Sequence, residues 1–301
     1  MSKKKIEVFK VKIKTADESE LMFEDLLLNK ILTDKVIKTG SKHIEFAYVE
    51  DKGDFIVGLV KSTKMTATPP KNNVATGVMS PLGLGGTEGL CYGNVFLYSK
   101  KDNFFLYEVT KDGVYMGQFD TFIYDLVREE EIIKFDIRFH IVMTVDALSK
   151  LLTMGGQKSI HIQFADPGEV VKKVKDSQKA LKEIAKPGDE LGAELVDVVY
   201  KITSRKGKSL HTGKINKMLE WVSDNYGLLR DNIKEFSIKG YEEDQETLTE
   251  IDLIKDKMIE FISYTENKNM DDLRPTARKQ EIQLAYDRIQ RDLKTITEND
   301  L

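Results

Sequence analysis

The sequence predicts an α+β protein with an antiparallel-sheet domain over residues 1–146 and a more helical, mixed α/β domain over residues 147–301. The first observation is length, because 301 residues allow two domains that each bury a core. The second is that apolar and polar residues alternate with period two through much of the first half. The third is that apolar residues at helical spacing become more frequent in the second half.

In the first half, turn residues separate alternating segments and so predict hairpins. Gly53 ends the turn Asp51-Lys52-Gly53 and suits the positive φ that such a turn needs. Lys101 and Asp102 separate a second pair of segments in the same way. The predicted elements are a strand over 6–14 followed by a helix, hairpins over 43–62 and 94–110, a helix over 118–128 and a strand over 132–146.

In the second half, Asp166-Pro167-Gly168 opens a lysine-rich helix that runs to about Ala185, and Lys186-Pro187-Gly188 ends it. The other predicted elements are a helix over 145–154, strands over 159–165 and 194–205, a helix over 214–226 and a hairpin across the acidic turn 242–246. A final amphipathic helix carries one apolar face, formed by Ile282, Ala285, Tyr286, Ile289 and Leu293.

The composition is that of a soluble globular chain, with 41% apolar and 32% charged residues. The lysines near the start are not followed by the apolar stretch of a signal peptide, and no run approaches the roughly 18 apolar residues of a membrane span. A cytoplasmic location is therefore expected. The single cysteine, Cys91, stands at the start of an apolar strand, where burial is expected.

A glycine-rich stretch, MSPLGLGGTEGLCYGN at residues 79–94, invites interpretation as a phosphate-binding loop and fails on spacing. A P-loop needs a lysine after its last glycine, and none lies between Asn72 and Tyr98. A dinucleotide fingerprint that began at Gly83 would need glycine where Glu88 stands. The stretch is predicted to be a mobile connector, with a nucleic-acid-contacting flap as the alternative.

Metal and hydrolase motifs receive no support. The four histidines are far apart and lack the spacing of metal ligands. Glu50-Asp51-Lys52 has the E-x-K spacing of some metal-dependent nucleases, with Asp34 upstream, but the triplet coincides with a hairpin turn, which favours solvated side chains. No G-x-S-x-G motif occurs. The sequence thus predicts no catalytic residue, no metal and no cofactor.

The strongest signal is a local excess of positive charge in a chain whose net charge is -4. Residues 172–217 contain twelve Lys or Arg and six Asp or Glu, a net charge of about +6. Lysines recur every three or four residues on the predicted helix, and a second basic group follows the next strand. The predicted DNA-binding residues are Lys172, Lys173, Lys175, Lys179, Lys182, Arg205, Lys206 and Lys208. The alternative is an ordinary solvated helix face.

The chain resembles the family of phage Rex exclusion protein A. The resemblance is carried, in order, by LLLNKILTDKVIKTGSKHIEFAYVEDKGDFIVGLVKS, SIHIQFADPGEVVKKVKDSQKAL, FSIKGYEEDQETLTEIDL and IQLAYDRIQRDL. It implies a phage-exclusion component that binds double-stranded DNA, self-associates as a homodimer and works with a membrane effector. The positions that match the family's basic helix are Lys172, Lys173, Lys175 and Lys179.

Three hypotheses follow. The first is a non-enzymatic sensor that binds double-stranded DNA with weak sequence preference and acts in phage exclusion. The second is a metal-dependent nuclease or other anti-phage enzyme whose carboxylates come from separate segments. The third is an adaptor that binds a partner protein through the amphipathic C-terminal helix.

Overall fold

The computed structural model describes residues 2–15, 22–66, 68–128, 135–174, 179–203, 208–242, 248–266 and 272–298, and its α+β class confirms the prediction. The strands are β1 (Ser2–Thr15), β2 (Ile37–Thr39), β3 (Lys42–Asp51), β4 (Phe55–Lys64), β5 (Lys71–Asn72), β6 (Met79–Ser80), β7 (Leu90–Ser99), β8 (Phe104–Val109), β9 (Phe135–Ile141), β10 (Met154–Ala165), β11 (Leu195–Lys201), β12 (Ile233–Glu242), β13 (Leu248–Asp252) and β14 (Ile259–Tyr264). The helices are α1 (Phe23–Leu28), α2 (Lys30–Thr33), α3 (Met116–Arg128), α4 (Val145–Leu152), α5 (Pro167–Lys173), α6 (Lys179–Glu190), α7 (Thr212–Leu229) and α8 (Pro275–Glu298).

The larger sheet is antiparallel, with strand order β14-β1-β8-β7-β4-β3-β2. The predicted hairpins are confirmed as β3–β4 and β7–β8. The long strand β1 organises the sheet, because residues 2–7 pair with β14, residues 5–10 with β8 and residues 9–15 with β9. This sheet therefore joins the first strand of the chain to the last.

The two faces of this sheet carry separate apolar cores because side chains alternate along each strand. On one face, Phe9 and Phe105 pack with Phe119 of α3 in an aromatic cluster. On the other face, Ile6 and Leu106 pack beneath α8. The larger sheet is thus covered by helices on both sides.

Helix α8 buries the apolar face that its sequence predicts. Its buried side chains include Ile282, Ala285, Tyr286, Ile289 and Leu293, which recur with helical period. They pack against strands β14, β7 and β4 of the larger sheet. The face proposed for an adaptor is therefore occupied by the chain's own sheet.

The smaller sheet is antiparallel, with order β11-β10-β12-β13, and the predicted β12–β13 hairpin is confirmed. Ile160, Ile162 and Phe164 of β10 point into the core on the side of α5, α6 and α7. Helix α7 also packs on β9 of the larger sheet. The opposite face of the smaller sheet is open to solvent along β11.

The last two elements return to the larger sheet. Strand β14 pairs with β1, and Arg278 of α8 forms an ion pair with the fully buried Glu108 of β8 at 2.5 Å. The Tyr264 hydroxyl donates to the other carboxylate oxygen at 2.6 Å. A division of the chain at residue 146 stays a prediction, and both β14 and α8 lie on the sheet that the first segment builds.

The single lysine-rich helix predicted for 168–185 is wrong. Helix α5 ends at Lys173 because Val174, which is 2% exposed, turns to an extended conformation with φ -76° and ψ 124° as it enters the core. The predicted stop at Lys186-Pro187-Gly188 is also wrong, since α6 runs on to Glu190 with Pro187 inside it. A Cβ on Gly188 would lie 2.0 Å from Val196, so this glycine lets α6 approach β11 closely.

Candidate nucleic-acid interface

Four of the predicted DNA-binding lysines lie on α5 and α6, and Lys179 is the first residue of α6. Lys172 is exposed and lies 3.0 Å from Glu169, and this hydrogen bond and charge raise the pKa of Lys172. Lys173 donates to the side-chain oxygen of Asn232 at 3.1 Å. Lys182 is half-buried on α6. Lys172, Lys173 and Lys182 therefore already have partners within the protein. This is the behaviour expected of the alternative interpretation, an ordinary solvated helix face.

The other predicted residues are distributed differently. Lys208 is exposed just before α7. Lys175, Arg205 and Lys206 lie outside the described residues. Consequently the structure brings no continuous row of the predicted lysines onto one described helix.

A different basic group forms at one end of the smaller sheet. Lys201, at the end of β11, pairs in register with Ser159, next to Lys158 of β10. The Ile202 N–H donates to the Lys158 carbonyl at 2.8 Å, and the Lys158 side chain donates to the Lys208 carbonyl. Strand pairing and this side-chain hydrogen bond thus gather three lysines that are 50 residues apart at most in the chain.

The start of α7 adds two lysines to this group. The Leu210 N–H donates to the Gln157 carbonyl at 2.8 Å, which fixes the segment before α7 beside β10. Lys214 and Lys217 follow in the first turns of this 18-residue helix, three residues apart and both exposed. The helix N-terminus contributes further positive potential. We call Lys158, Lys201, Lys208, Lys214 and Lys217 the lysine cluster.

The lysine cluster differs from the helix lysines in its charge balance. Within the described part of the chain, none of its five ammonium groups lies within ion-pair distance of a carboxylate. By contrast, Lys172 and Lys186 pair with Glu169 and Glu190 on their own helices, at 3.0 and 3.5 Å. Four members are exposed, so their charges are available to a phosphate backbone.

The middle of the same sheet face is polar in another way. The His161 ring lies between two carboxylates, with Nε2 2.6 Å from Asp197 and Nδ1 2.9 Å from Glu235. The Ser237 hydroxyl donates to the same Glu235 oxygen at 3.0 Å. Both nitrogens of the ring are thus engaged with carboxylates, and the serine is bonded to an acid rather than to the imidazole. This geometry does not supply the serine–histidine contact of a nucleophilic site.

The carboxylates of the Glu50-Asp51-Lys52 turn form ion pairs with lysines. Glu50 pairs with Lys52 at 2.9 Å and also with Lys279, while Asp51 accepts from Lys100 at 2.8 Å. These hydrogen bonds lower the pKa of both carboxyl groups. Among the residues described, no group of three or more His, Cys, Asp or Glu side chains is arranged to hold a metal ion.

The glycine-rich stretch comprises β6, a largely exposed loop over residues 81–89 and the first half of β7. Gly83 has φ +78°, and a Cβ on Gly89 would lie 2.5 Å from the Lys64 carbonyl. Cys91 was expected to be buried, and this is wrong, since it is exposed at the start of β7. The strand alternates there, so Cys91 points outward before the fully buried segment begins at Gly93.

Comparison with known proteins gave no matching family model and no matching curated protein. In the described ranges, no helix combines the length and apolar character needed to cross a bilayer.

Sequence reasoning missed Lys158, Lys201, Lys214 and Lys217 as site residues. Three of them belong to the basic segment 172–217, so the charge count held a signal for them. The register of β10 against β11 places Lys201 beside Lys158, and the Leu210–Gln157 hydrogen bond places the start of α7 beside β10; composition reveals neither.

Proposed function

We propose that this protein is a non-enzymatic, cytoplasmic sensor that binds double-stranded DNA with weak sequence preference and acts in phage exclusion. The observation that carries the DNA-binding proposal is the lysine cluster, whose charges have no carboxylate partner among the described residues. Lysines of this kind contact phosphates regardless of base sequence. The role in phage exclusion, and a membrane effector as partner, rest on the family resemblance.

The salt dependence of binding gives a direct test. Five phosphate contacts would give a slope of log affinity against log salt of about -4.5, or roughly 500-fold weaker binding at 200 mM than at 50 mM salt. Fluorescence anisotropy with a labelled duplex of random sequence measures this slope. The double variant Lys201→Gln/Lys208→Gln should reduce it to about -2.7, or roughly 40-fold over the same range.

The matched control is Lys172→Gln/Lys186→Gln, which removes two exposed lysines that already pair with carboxylates. We expect the control to leave the slope within about 0.5 of wild type. A larger loss in the control than in the cluster variant would move the interface to α5 and α6. Absence of binding by wild type at 50 mM salt would refute the DNA-binding proposal.

The nuclease alternative is tested with the same purified protein. Plasmid incubated with the protein and Mg²⁺ should remain supercoiled if the protein only binds DNA. Strand breaks that disappear on chelation of the metal would favour the enzyme.

The cellular role is tested by plaque counts on cells that make the wild-type protein or the Lys201→Gln/Lys208→Gln variant. Equal plaque counts on cells that make the wild-type protein and on cells that lack the protein would refute the phage-exclusion role.

Self-association is a second part of the proposal, and strand β11 supports it. This strand is at the edge of the smaller sheet, and Leu195, Val199 and Tyr200 are 51%, 51% and 48% exposed. An uncovered apolar edge is suited to pairing with another strand. We propose that a second copy pairs with β11 across a twofold axis, which makes the contact self-complementary.

Val199→Lys tests this contact because a lysine on an edge strand opposes strand pairing. The matched control is Leu284→Lys, a change of an equally exposed apolar residue on α8, where Leu284 is 52% exposed. Sedimentation over a range of concentrations should show a dimer for wild type and for the control and a monomer for Val199→Lys. A dimer in all three proteins would exclude β11 as the contact.

A further inference from the structure

A groove of about 530 Å³ lies between α6, α7 and the edge strand β11 of the smaller sheet. Its volume is within the range of about 300–1,000 Å³ that small-molecule sites occupy. The walls are mostly apolar and include Ile184, Pro187, Val198, Tyr200, Met218 and Trp221. The groove therefore offers two aromatic side chains in an apolar setting, one on β11 and one on α7.

Strand alternation sets the position of the Tyr200 ring. Tyr200 pairs in register with Ile160 of β10, whose side chain is buried on the helix side of the smaller sheet, so both side chains are on that face. Because β11 is at the sheet edge, Tyr200 remains 48% exposed. Among the described residues, neither Tyr200 nor Trp221 stacks on another aromatic ring or lies below a cation. The Tyr200 ring is thus accessible to a planar ligand.

The lysine cluster lies directly beside this groove. On α7, Lys214 and Lys217 precede Met218 and Trp221 by three or four residues, so the exposed lysines and the groove residues share one face of the helix. On β11, Lys201 follows Tyr200 directly. Positive charge therefore flanks the groove on its strand wall and on its helix wall.

The charge inside the groove has the opposite sign. Glu183 of α6 contributes a carboxylate to the lining, which disfavours a phosphate within the groove itself. A ligand with a neutral planar ring and an attached phosphate fits this distribution, because its ring would lie at the aromatic walls and its phosphate at the lysines. Nucleotides of an unpaired strand have this structure, and proteins bind them with aromatic side chains beside a basic surface. In an intact duplex the bases are stacked and paired, so they are not available to the groove.

We propose that this groove holds an unpaired nucleobase stacked on Tyr200, so that the preferred ligand is a duplex that ends in a single-stranded segment. The proposal rests on the DNA binding proposed for the lysine cluster and narrows its substrate. The lysines contact phosphates regardless of sequence, and the Tyr200 ring distinguishes an unpaired base from a paired one. The strand pairing proposed for β11 uses its main-chain edge, and Val199 points to the opposite face of the sheet from Tyr200.

Three labelled DNAs that share one duplex test the proposal by fluorescence anisotropy with the full chain. One is blunt, one has a thymine overhang, and one has an overhang of equal length with abasic sites in place of the bases. The two overhangs carry the same number of phosphates, so a difference between them reports the bases. We expect wild type to bind the thymine overhang about 5- to 100-fold more tightly than the abasic overhang, as expected for the stacking of one base.

Variants at Tyr200 locate the effect. Tyr200→Ala should bring the ratio of the two overhang affinities to within about twofold of unity and leave the affinity for the blunt duplex unchanged. Tyr200→Phe keeps the ring and should keep the wild-type ratio. The matched control is Tyr124→Ala, a change of an equally exposed tyrosine on α3, where Tyr124 is 47% exposed. This control should also keep the wild-type ratio.

The single tryptophan of the chain gives a second readout. Trp221 lines the groove, so a base that enters should quench its emission, whereas the abasic overhang should leave the emission unchanged. A preference for bases that survives Tyr200→Ala, or that occurs without quenching, would place the base elsewhere and overturn the proposal.

The same measurements separate this inference from the proposed function. Equal affinity for the two overhangs would overturn the inference and leave binding of the blunt duplex standing. Absence of binding to all three DNAs would overturn both. Quenching by thymidine monophosphate as strong as that by the thymine overhang at equal concentration would also overturn the inference, because the ligand would then be a free nucleotide.

Discussion

Removal of the positive charge from the buried pair between α8 and the larger sheet should destabilise the protein strongly. Arg278 and Glu108 are 4% and 0% exposed, and Nη1 of Arg278 donates both to Glu108 at 2.5 Å and to the Gly93 carbonyl at 2.6 Å. In Arg278→Met, the Glu108 carboxylate keeps only the Tyr264 hydroxyl and the Val95 N–H. Loss of one partner from a buried pair costs about 3–5 kcal/mol in free energy of unfolding.

Urea denaturation followed by circular dichroism measures this loss. The matched control is Arg288→Met on the same helix, because Arg288 is half exposed and lies 3.4 Å from Glu260 in a surface pair worth about 0–1 kcal/mol. The double variant Glu108→Gln/Arg278→Met removes both charges and should regain most of the loss. A loss in Arg278→Met no larger than that in Arg288→Met would refute the view that this pair fixes α8.

Three further predictions concern the larger sheet. Burial acts to raise the pKa of Glu7, but Lys257 and Arg230 outweigh it, so the pKa lies below the ordinary 4.5. The stabilising contribution of Glu7 is therefore complete above about pH 4.5 and is lost as the pH falls through the lowered pKa. The difference in free energy of unfolding between wild type and Glu7→Gln should accordingly become smaller in urea titrations at acidic pH. A difference that stays constant with pH would contradict this. Gly58→Ala puts a Cβ 2.2 Å from the ring of Phe96 and should cost about 1–3 kcal/mol of unfolding free energy, whereas an unchanged thermal midpoint would show that the ring moves freely. Asn94→Ala leaves the Glu108 carbonyl and the Val114 N–H without their buried partner and should cost about 1–3 kcal/mol of unfolding free energy. Hydrogen exchange at the Val114 amide should become faster in this variant. Exchange at Val114 as slow as in wild type would contradict the prediction.

Local pattern was sufficient for much of the fold. The β3–β4 and β7–β8 hairpins follow from alternating segments separated by short turns. The buried face of α8 follows from the helical period of residues such as Ile282 and Leu293. In each case the information lies within about 25 residues of chain, where geometry is set by neighbours.

Long-range pairing was not predictable in the same way. The pairing of β1 with β14 joins residues more than 250 positions apart, and nothing in the sequence of either strand identifies the strand with which it pairs. The end of α5 at Val174 was missed because burial of this side chain in the core outweighs the helical spacing of the lysines around it. The lysine cluster likewise depends on long-range contacts, namely the register of β10 against β11 and the hydrogen bonds that connect residues 208–210 to β10.

The late arrival of β14 has a consequence during synthesis on the ribosome. At about 5–20 residues per second, β14 is made roughly 13–50 s after the segment of β1 with which it pairs. Throughout this interval the edge of β1 at residues 2–7 is open to strands of other nascent chains. This edge carries Lys3, Lys4 and Lys5, and lysine on an open edge discourages intermolecular pairing. The same lysines that flank the finished sheet can thus protect the unfinished one from aggregation.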